Sequence, residues 1–265
     1  MVKHSHIQLP YSIIKNFRDE SHCERQVWYL DIVGKNIKRK PAKRLGAEKG
    51  YYSQDTEKYW NKLVETPIGR LNAKILQFCQ GKCSTITISQ DEMDIAKLYM
   101  KAAMVRSNQA CLSMKSVFKN SCDYSERELH DALSYIGMNI ADSVANEQFE
   151  LDKMQVTVLA NRTEIGFVVP RNCFYCVQRN DESNIIMPIS PVGALLFLPE
   201  SQLGGEYGLY GAIDNVEYVK RLNRHALKYE CLYNGAFVAS NSHLELEDLR
   251  ELLNNPPWGK ASPNN

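Results

Sequence analysis

No apolar run in this chain approaches the roughly 20 residues that would cross a bilayer. The opening residues, Met1-Val2-Lys3-His4-Ser5-His6, lack the apolar core and small-residue cleavage site of a secretory leader. An excess of either charge is missing too. With 32 Lys and Arg against 31 Asp and Glu the formal net charge is +1, which argues against a protein basic over its whole surface and leaves nucleic acid to a local patch. There is no phosphate-cradling glycine loop, no His-Glu metalloprotease helix and no Gly-x-Ser-x-Gly elbow. Nor is there an internal repeat or a low-complexity linker. Familiar nucleotide-binding, metalloprotease and serine-hydrolase classes therefore lose their usual signatures. Eight cysteines without a leader read as reduced thiols, so the expected location is cytoplasmic and no membrane partner is expected.

What is present is ordinary globular material. Across 265 residues, 44% are hydrophobic and 24% charged, enough to bury a substantial core. Order is expected almost from the start: Pro10 suits the first turn of a helix, and Leu9, Ile13, Ile14 and Phe17 share one face at helical spacing. Gln26 to Ile32 is rich in β-formers, Gly34-Lys35-Asn36 offers a turn, and Ile37 to Lys40 returns, which predicts a hairpin. Ser53 with Asp55 and Glu57 opens a helix expected to stop near Thr66, with Pro67 restarting another through Ile68, Leu71 and Ile75. Ser89 with Glu92, and Ser125 with Glu128, form capping boxes ahead of two further apolar-striped helices.

Near Leu151 the pattern changes. Met154 to Leu159 and Ile165 to Val169 read as two strands joined by Asn161-Arg162-Thr163. Phe174 to Val177, Asn184 to Met187 and Ala194 to Leu198 continue a sheet, followed by a helix from about Val216 to Tyr229, a short apolar piece at Phe237 to Ala239 and an acidic helix from Leu244 to Leu253. The segregation of helices and strands predicts α+β, with an N-terminal β-hairpin and helical middle followed by an antiparallel, strand-rich C-terminal half. The expected organisation is one domain over 1–253, helical over about 53–150 and strand-rich over about 151–240, with a disordered tail at 254–265.

An ordered series of segments carries a family resemblance. It comprises His6 to Phe17, Val27-Trp28-Tyr29-Leu30-Asp31, Glu48 to Ser53, Glu65-Thr66-Pro67, Ile186 to Pro191 and Leu222-Asn223. In this series the chain resembles the domain of unknown function 4238 family, found mostly in bacteria, over roughly His6 to Tyr233. It departs from the family at Pro170-Arg171-Asn172-Cys173, where the family often carries an acid. The resemblance implies a bacterial accessory protein and assigns no cofactor, substrate or site residue.

Chemistry is sought in four places. Lys35, Lys38, Arg39, Lys40, Lys43 and Arg44 form a basic run with no acid between Asp31 and Glu48, able to contact phosphates. Trp28, Tyr29, Tyr51 and Tyr52 lie nearby and offer base-stacking rings or anchors for a protein partner. The bland alternative is an edge strand whose lysines discourage unwanted pairing. Cys79 and Cys83, with Cys173 and Cys176, have the number but not the turn geometry of a zinc site, and packed thiols are the better reading. His6 has the chemistry of a general base, with Glu48, Glu57 and Glu65 as the nearest acids. Arg106, Asn172 and Asn223 are candidate binding groups, beside His225, Asn16 and Ser190. Arg106 would hold a carboxylate or phosphate or tie a helix to a loop, and Asn223 would orient a ligand or pin a loop backbone. Three functions follow: a nucleic-acid-engaging accessory protein in a defence or mobile-element setting, a nuclease-like hydrolase using His6 and an early Glu, or a protein-interaction module.

Overall fold

The computed structural model describes residues 4–6, 8–21, 25–49, 54–106, 128, 151–179, 182–199, 211–232 and 236–258. The N-terminal strand β1 (His4–His6) precedes helix α1 (Tyr11–Ile14), which tightens into a 3₁₀ turn over Lys15–Phe17. Pro10 stands just outside the helix, with extended backbone, and its carbonyl accepts the N–H groups of Ile13 and Ile14. Leu9, Ile13, Ile14 and Phe17 are all 0% exposed, as their spacing requires.

The hairpin is formed by β2 (Gln26–Asp31) and β3 (Asn36–Pro41). Its turn is closed by Asp31, whose Oδ1 accepts the Gly34 N–H at 3.0 Å, while Lys35 takes a left-handed φ of 50°. Strand β4 (Ala47–Lys49) then returns to pair antiparallel with β1.

Next comes a continuous helical run. Helix α2 (Gln54–Trp60) passes through a π segment (Asn61–Glu65) into α3 (Thr66–Cys79). The expected break near Thr66 is absent. Pro67 lies in the first turn of α3, and the wider π turn, in which the Thr66 N–H bonds the Asn61 carbonyl, carries the chain past it. Helix α4 (Gln90–Val105) starts at the predicted capping box: Ser89 Oγ accepts the Glu92 N–H and Glu92 Oε2 accepts the Ser89 N–H. The second box, at Ser125, and its helix lie outside the described residues apart from helical Glu128.

The strand-rich half contains β5 (Met154–Asn161), β6 (Val169–Pro170), β7 (Tyr175–Arg179), β8 (Glu182–Ser190), β9 (Gly193–Pro199) and β10 (Gly211–Ile213). It ends with helix α5 (Val216–Leu232), strand β11 (Phe237–Ser240) and helix α6 (His243–Asn254). A five-stranded sheet runs β10-β5-β9-β8-β7 and a four-stranded sheet runs β3-β2-β11-β6. The fold is α+β, with two corrections to its expected layout. The pair β5–β10 is parallel, so the larger sheet is mixed. The expected strand from Ile165 is reduced to Val169–Pro170, and it joins the other sheet instead of pairing with β5. The N-terminal hairpin forms as expected, and β2 also pairs with β11 from the end of the chain.

Pro188 lies in β8, which is flanked by β7 and β9, at a register shift between Pro188 and Ser190. Beside that irregularity, Asn16 Nδ2 donates to the Ile189 carbonyl at 2.8 Å, tying the first helical turn to the sheet. One apolar cluster joins residues from Leu9 to Leu253, drawing on both halves of the chain. Trp258 packs partly buried against it, so order extends beyond residue 254, where the tail was expected to begin.

Candidate functional site

Strand β3 is the outer strand of the four-stranded sheet, and Lys38, Arg39 and Lys40 on it are exposed. Lys43 and Arg44 are exposed on the turn that follows, whose backbone is closed by the Arg44 and Leu45 N–H groups on the Pro41 carbonyl. Alternation along the strand divides the run between two faces. Lys38 and Lys40 point to one side, Arg39 to the other. Arg39 lies over the Trp28 ring at 4.7 Å, and His243 of α6 meets that ring edge-on at 4.8 Å. Lys35 is drawn out of the patch, because its Nζ donates to the Leu253 carbonyl at the end of α6 at 3.0 Å. Lys38 pairs with Asp31 at 3.2 Å. The Asp31 carboxyl is held below its usual range by the Gly34 N–H first, with Lys38 adding to the effect against a partial burial cost.

The six cations of the run are thus not one patch. Helix α6 covers the Arg39 side, and Lys38, Lys40, Lys43 and Arg44 remain on the open side and the adjoining turn. The aromatic rings do not serve as free stacking platforms either. Trp28 is enclosed by Arg39 and His243 and donates Nε1–H to Asp19 Oδ2 at 3.0 Å, while Tyr29 packs edge-on against Phe237 at 5.9 Å. Tyr51 and Tyr52 lie outside the described residues.

The β1–β4 ladder brings the backbone of His6 beside that of Glu48: His6 pairs with Ala47, and Glu48 with Ser5. This ladder begins where the basic turn ends. Glu57 is half-buried on α2. Glu65 instead faces Arg106.

Arg106, Asn172 and Asn223 do not form one pocket. Arg106 caps the C-terminal end of α4, is 4% exposed, sits 5.5 Å over Trp60 and pairs with Glu65 at 3.5 Å. Asn223 on α5 pins a loop backbone: Oδ1 accepts the Val168 N–H at 3.0 Å and Nδ2 donates to the Gly166 carbonyl at 2.9 Å. Asn172 gives its backbone N–H and its Nδ2 to Glu230 Oε1.

Glu230 escaped the sequence reading, as did Glu245. Glu230 is 0% exposed, its Oε2 has no partner, and burial pushes its pKa up to about 7 against the pull of Asn172 and Arg171. Glu245 accepts from the Gly166 N–H and the Ser240 hydroxyl, and burial likewise raises it to about 7. The signal for Glu230 was available: it completes the apolar stripe Val219, Leu222, Asn223, Ala226, Leu227 at helical spacing. Both carboxyls hold backbone groups in place, so their shifted protonation serves structure before chemistry.

Among the described cysteines, Cys79, Cys173, Cys176 and Cys231 are packed thiols and Cys83 is exposed. Burial pushes Cys79 and Cys231 up to about 11, and Cys173 and Cys176 up to about 12. Cys173 occupies a turn with φ 59° before β7, not the strand itself. Among the described residues no three His, Cys, Asp or Glu side chains gather in a way that would hold a metal ion. Burial lowers His225, helped by Lys228 and Arg221. Among the described residues no helix is long and apolar enough to cross a membrane. Comparison of the chain with protein-family models, curated proteins and solved structures gave no match.

Proposed function

We propose that this chain is a cytoplasmic accessory protein, of the bacterial family it resembles, that engages the phosphate backbone of nucleic acid along the open side of β3. The observation that carries this reading is the exposure of Lys38, Lys40, Lys43 and Arg44 on an outer strand and the turn after it. Phosphate contacts by such side chains release counterions, so affinity would fall steeply with salt. Four such contacts would give a slope of about −3 in log K against log salt for a single strand, from roughly 0.7 per contact. Enclosure of Trp28 and Tyr29 favours backbone contact over base stacking, and hence little sequence preference.

The alternative, a hydrolytic reading through His6 and Glu48, gains nothing from the β1–β4 register, which pairs His6 with Ala47 and Glu48 with Ser5 and so puts the two at alternate positions, on opposite faces of the ladder. A nuclease would use His6 as base on a strand delivered by the basic turn. Enclosure of the same two aromatic rings weakens the protein-interaction reading.

The test is a labelled single-stranded RNA and DNA shift assay across a salt series, with and without Mg²⁺. Salt-sensitive binding that weakens when Lys40, Lys43 and Arg44 become Ala supports the binder. Cleavage lost in His6→Ala moves the assignment to the nuclease. Neither binding nor cleavage overturns both.

A further inference from the structure

A second concentration of positive charge lies on helix α5, apart from β3 and its turn. Between Glu217 and Glu230 the helix carries Lys220, Arg221, Arg224 and Lys228, with His225 among them, and no acid. At 3.6 residues per turn, Arg221, Arg224, His225 and Lys228 fall on one stripe. Val219, Leu222, Ala226 and Leu227 occupy the opposite stripe and are buried in the core. The basic stripe therefore faces outward: Arg221 and Arg224 are exposed, and His225 and Lys228 are half-buried.

The charge on this stripe is not neutralised. Lys220 pairs at 3.2 Å with Glu217, the acid at the N-terminal end of the helix. Among the described residues Arg221, Arg224 and Lys228 form no ion pair. Arg221 lies over the Tyr218 ring at 4.8 Å, a contact that steadies the guanidinium and leaves its charge in place. His225 registers the field: after burial, Lys228 one turn on and Arg221 one turn back both hold its pKa down. Like charges three and four residues apart destabilise a helix, so the stripe gains from an anion laid along it.

The geometry favours a phosphate chain over a membrane surface. The apolar side of α5 is committed to the core, which leaves nothing to sink among acyl chains as a helix lying on a bilayer does. The arginine fork matches the oxygens of a phosphate. Arg221 and Lys228 stand about 10 Å apart along the axis at about 1.5 Å per residue, the reach of about three phosphates of one strand at roughly 3.4 Å each.

We propose that the outer stripe of α5, formed by Arg221, Arg224 and Lys228, is a second contact surface for the phosphate backbone of nucleic acid. The inference rests on the nucleic-acid reading given for β3 and adds to it a surface made of different residues on a different element.

The experiment measures binding of the full chain to a labelled single-stranded DNA of about 30 nucleotides across a salt series. Seven contacts, four on β3 and its turn and three on α5, give a slope of about −5 in log K against log salt, at roughly 0.7 each. Replacing Arg221, Arg224 and Lys228 together by Gln is expected to make the slope shallower by about 2 and to weaken binding at low salt. Arg221→Lys combined with Arg224→Lys keeps the charge and should keep the slope; a slope lost there as well would trace the effect to packing and overturn the proposal. Unchanged affinity and slope in the Gln variant, with binding still weakened by Ala at Lys40, Lys43 and Arg44, would overturn the α5 surface and leave the β3 reading standing. Weakening by the α5 substitutions alone would do the reverse, and failure of the parent to bind overturns both. Retention of the parent by phosphatidylserine vesicles in preference to the strand, lost in the Gln variant, would reassign the stripe to a membrane and overturn the proposal.

Discussion

Asn172 donates twice to a single oxygen of Glu230, through its backbone N–H at 2.8 Å and its Nδ2 at 2.9 Å, and leaves Glu230 Oε2 without a partner. The pair locks the turn before β7 onto α5. It also places a carboxyl at 0% exposure, where the neutral form is favoured.

That carboxyl makes stability depend on pH in a definite direction. In the unfolded chain Glu230 and Glu245 release their protons near 4.5, and in the folded chain both keep them to about 7. Between those values the folded state binds more protons, so stability falls as pH rises and levels off above 7. The carboxyls lowered by folding, Asp31 and Glu92, act at more acidic pH. His225, lowered by burial, pulls the other way just below 6.5. Urea midpoints at pH 5, 6 and 7.5 should therefore fall for the parent and fall about half as steeply in Glu230→Gln, which keeps the acceptor for Asn172 and leaves Glu245 to titrate. The difference should be on the order of 2 kcal/mol. A variant whose slope matches the parent's would show that Glu230 does not titrate in this window.

Two glycines should respond oppositely to a methyl group. A Cβ on Gly166 would stand 2.8 Å from Pro191 Cβ and 3.0 Å from Glu245 Oε1, and Gly69 in α3 has nothing within 4 Å. Gly166→Ala is expected to cost about 1–3 kcal/mol through overpacking. Gly69→Ala should stabilise by up to about 1 kcal/mol through helix propensity. Thermal unfolding of the two variants side by side checks the pair, and equal effects would contradict it.

Asn223 holds the 162–168 loop by its backbone. Replacement by Ala leaves the Val168 N–H and the Gly166 carbonyl unpaired inside the protein, at about 1–3 kcal/mol. Amide exchange at Val168 should accelerate more than exchange in the β8–β9 ladder. Uniform acceleration would mean the loop opens only with global unfolding.

Asp31 restrains the proposed nucleic-acid surface by pairing with Lys38. Asp31→Asn keeps an acceptor for the Gly34 N–H and removes the charge, so affinity for single-stranded RNA should rise about two- to threefold at low salt and the gain should shrink with added salt. Weaker binding in this variant would place the contact elsewhere.

Local pattern was enough for much of this protein. The apolar spacing from Leu9 to Phe17, the turn after Asp31, the Ser89–Glu92 box and the strands around Leu195 each rest on interactions within a few residues, and all form where the sequence placed them. The exposed, basic character of β3 was equally visible, as was the choice of Asn223 as a backbone clamp. Partners distant in sequence were beyond that reach. Whether β2 pairs with β11, whether α6 covers Arg39, and whether Glu230 meets Asn172 depend on which surfaces bury one another, and the residues involved are separated by most of the chain or, for the last pair, by 58 positions. The sequence by itself determined elements, turns and charge, because these follow from steric and hydrogen-bond preferences between neighbours. Only the tertiary structure decided the split of the basic run, the raised carboxyls and the pairing of Arg106 with Glu65, because desolvation and long-range pairing exist only once the core has closed.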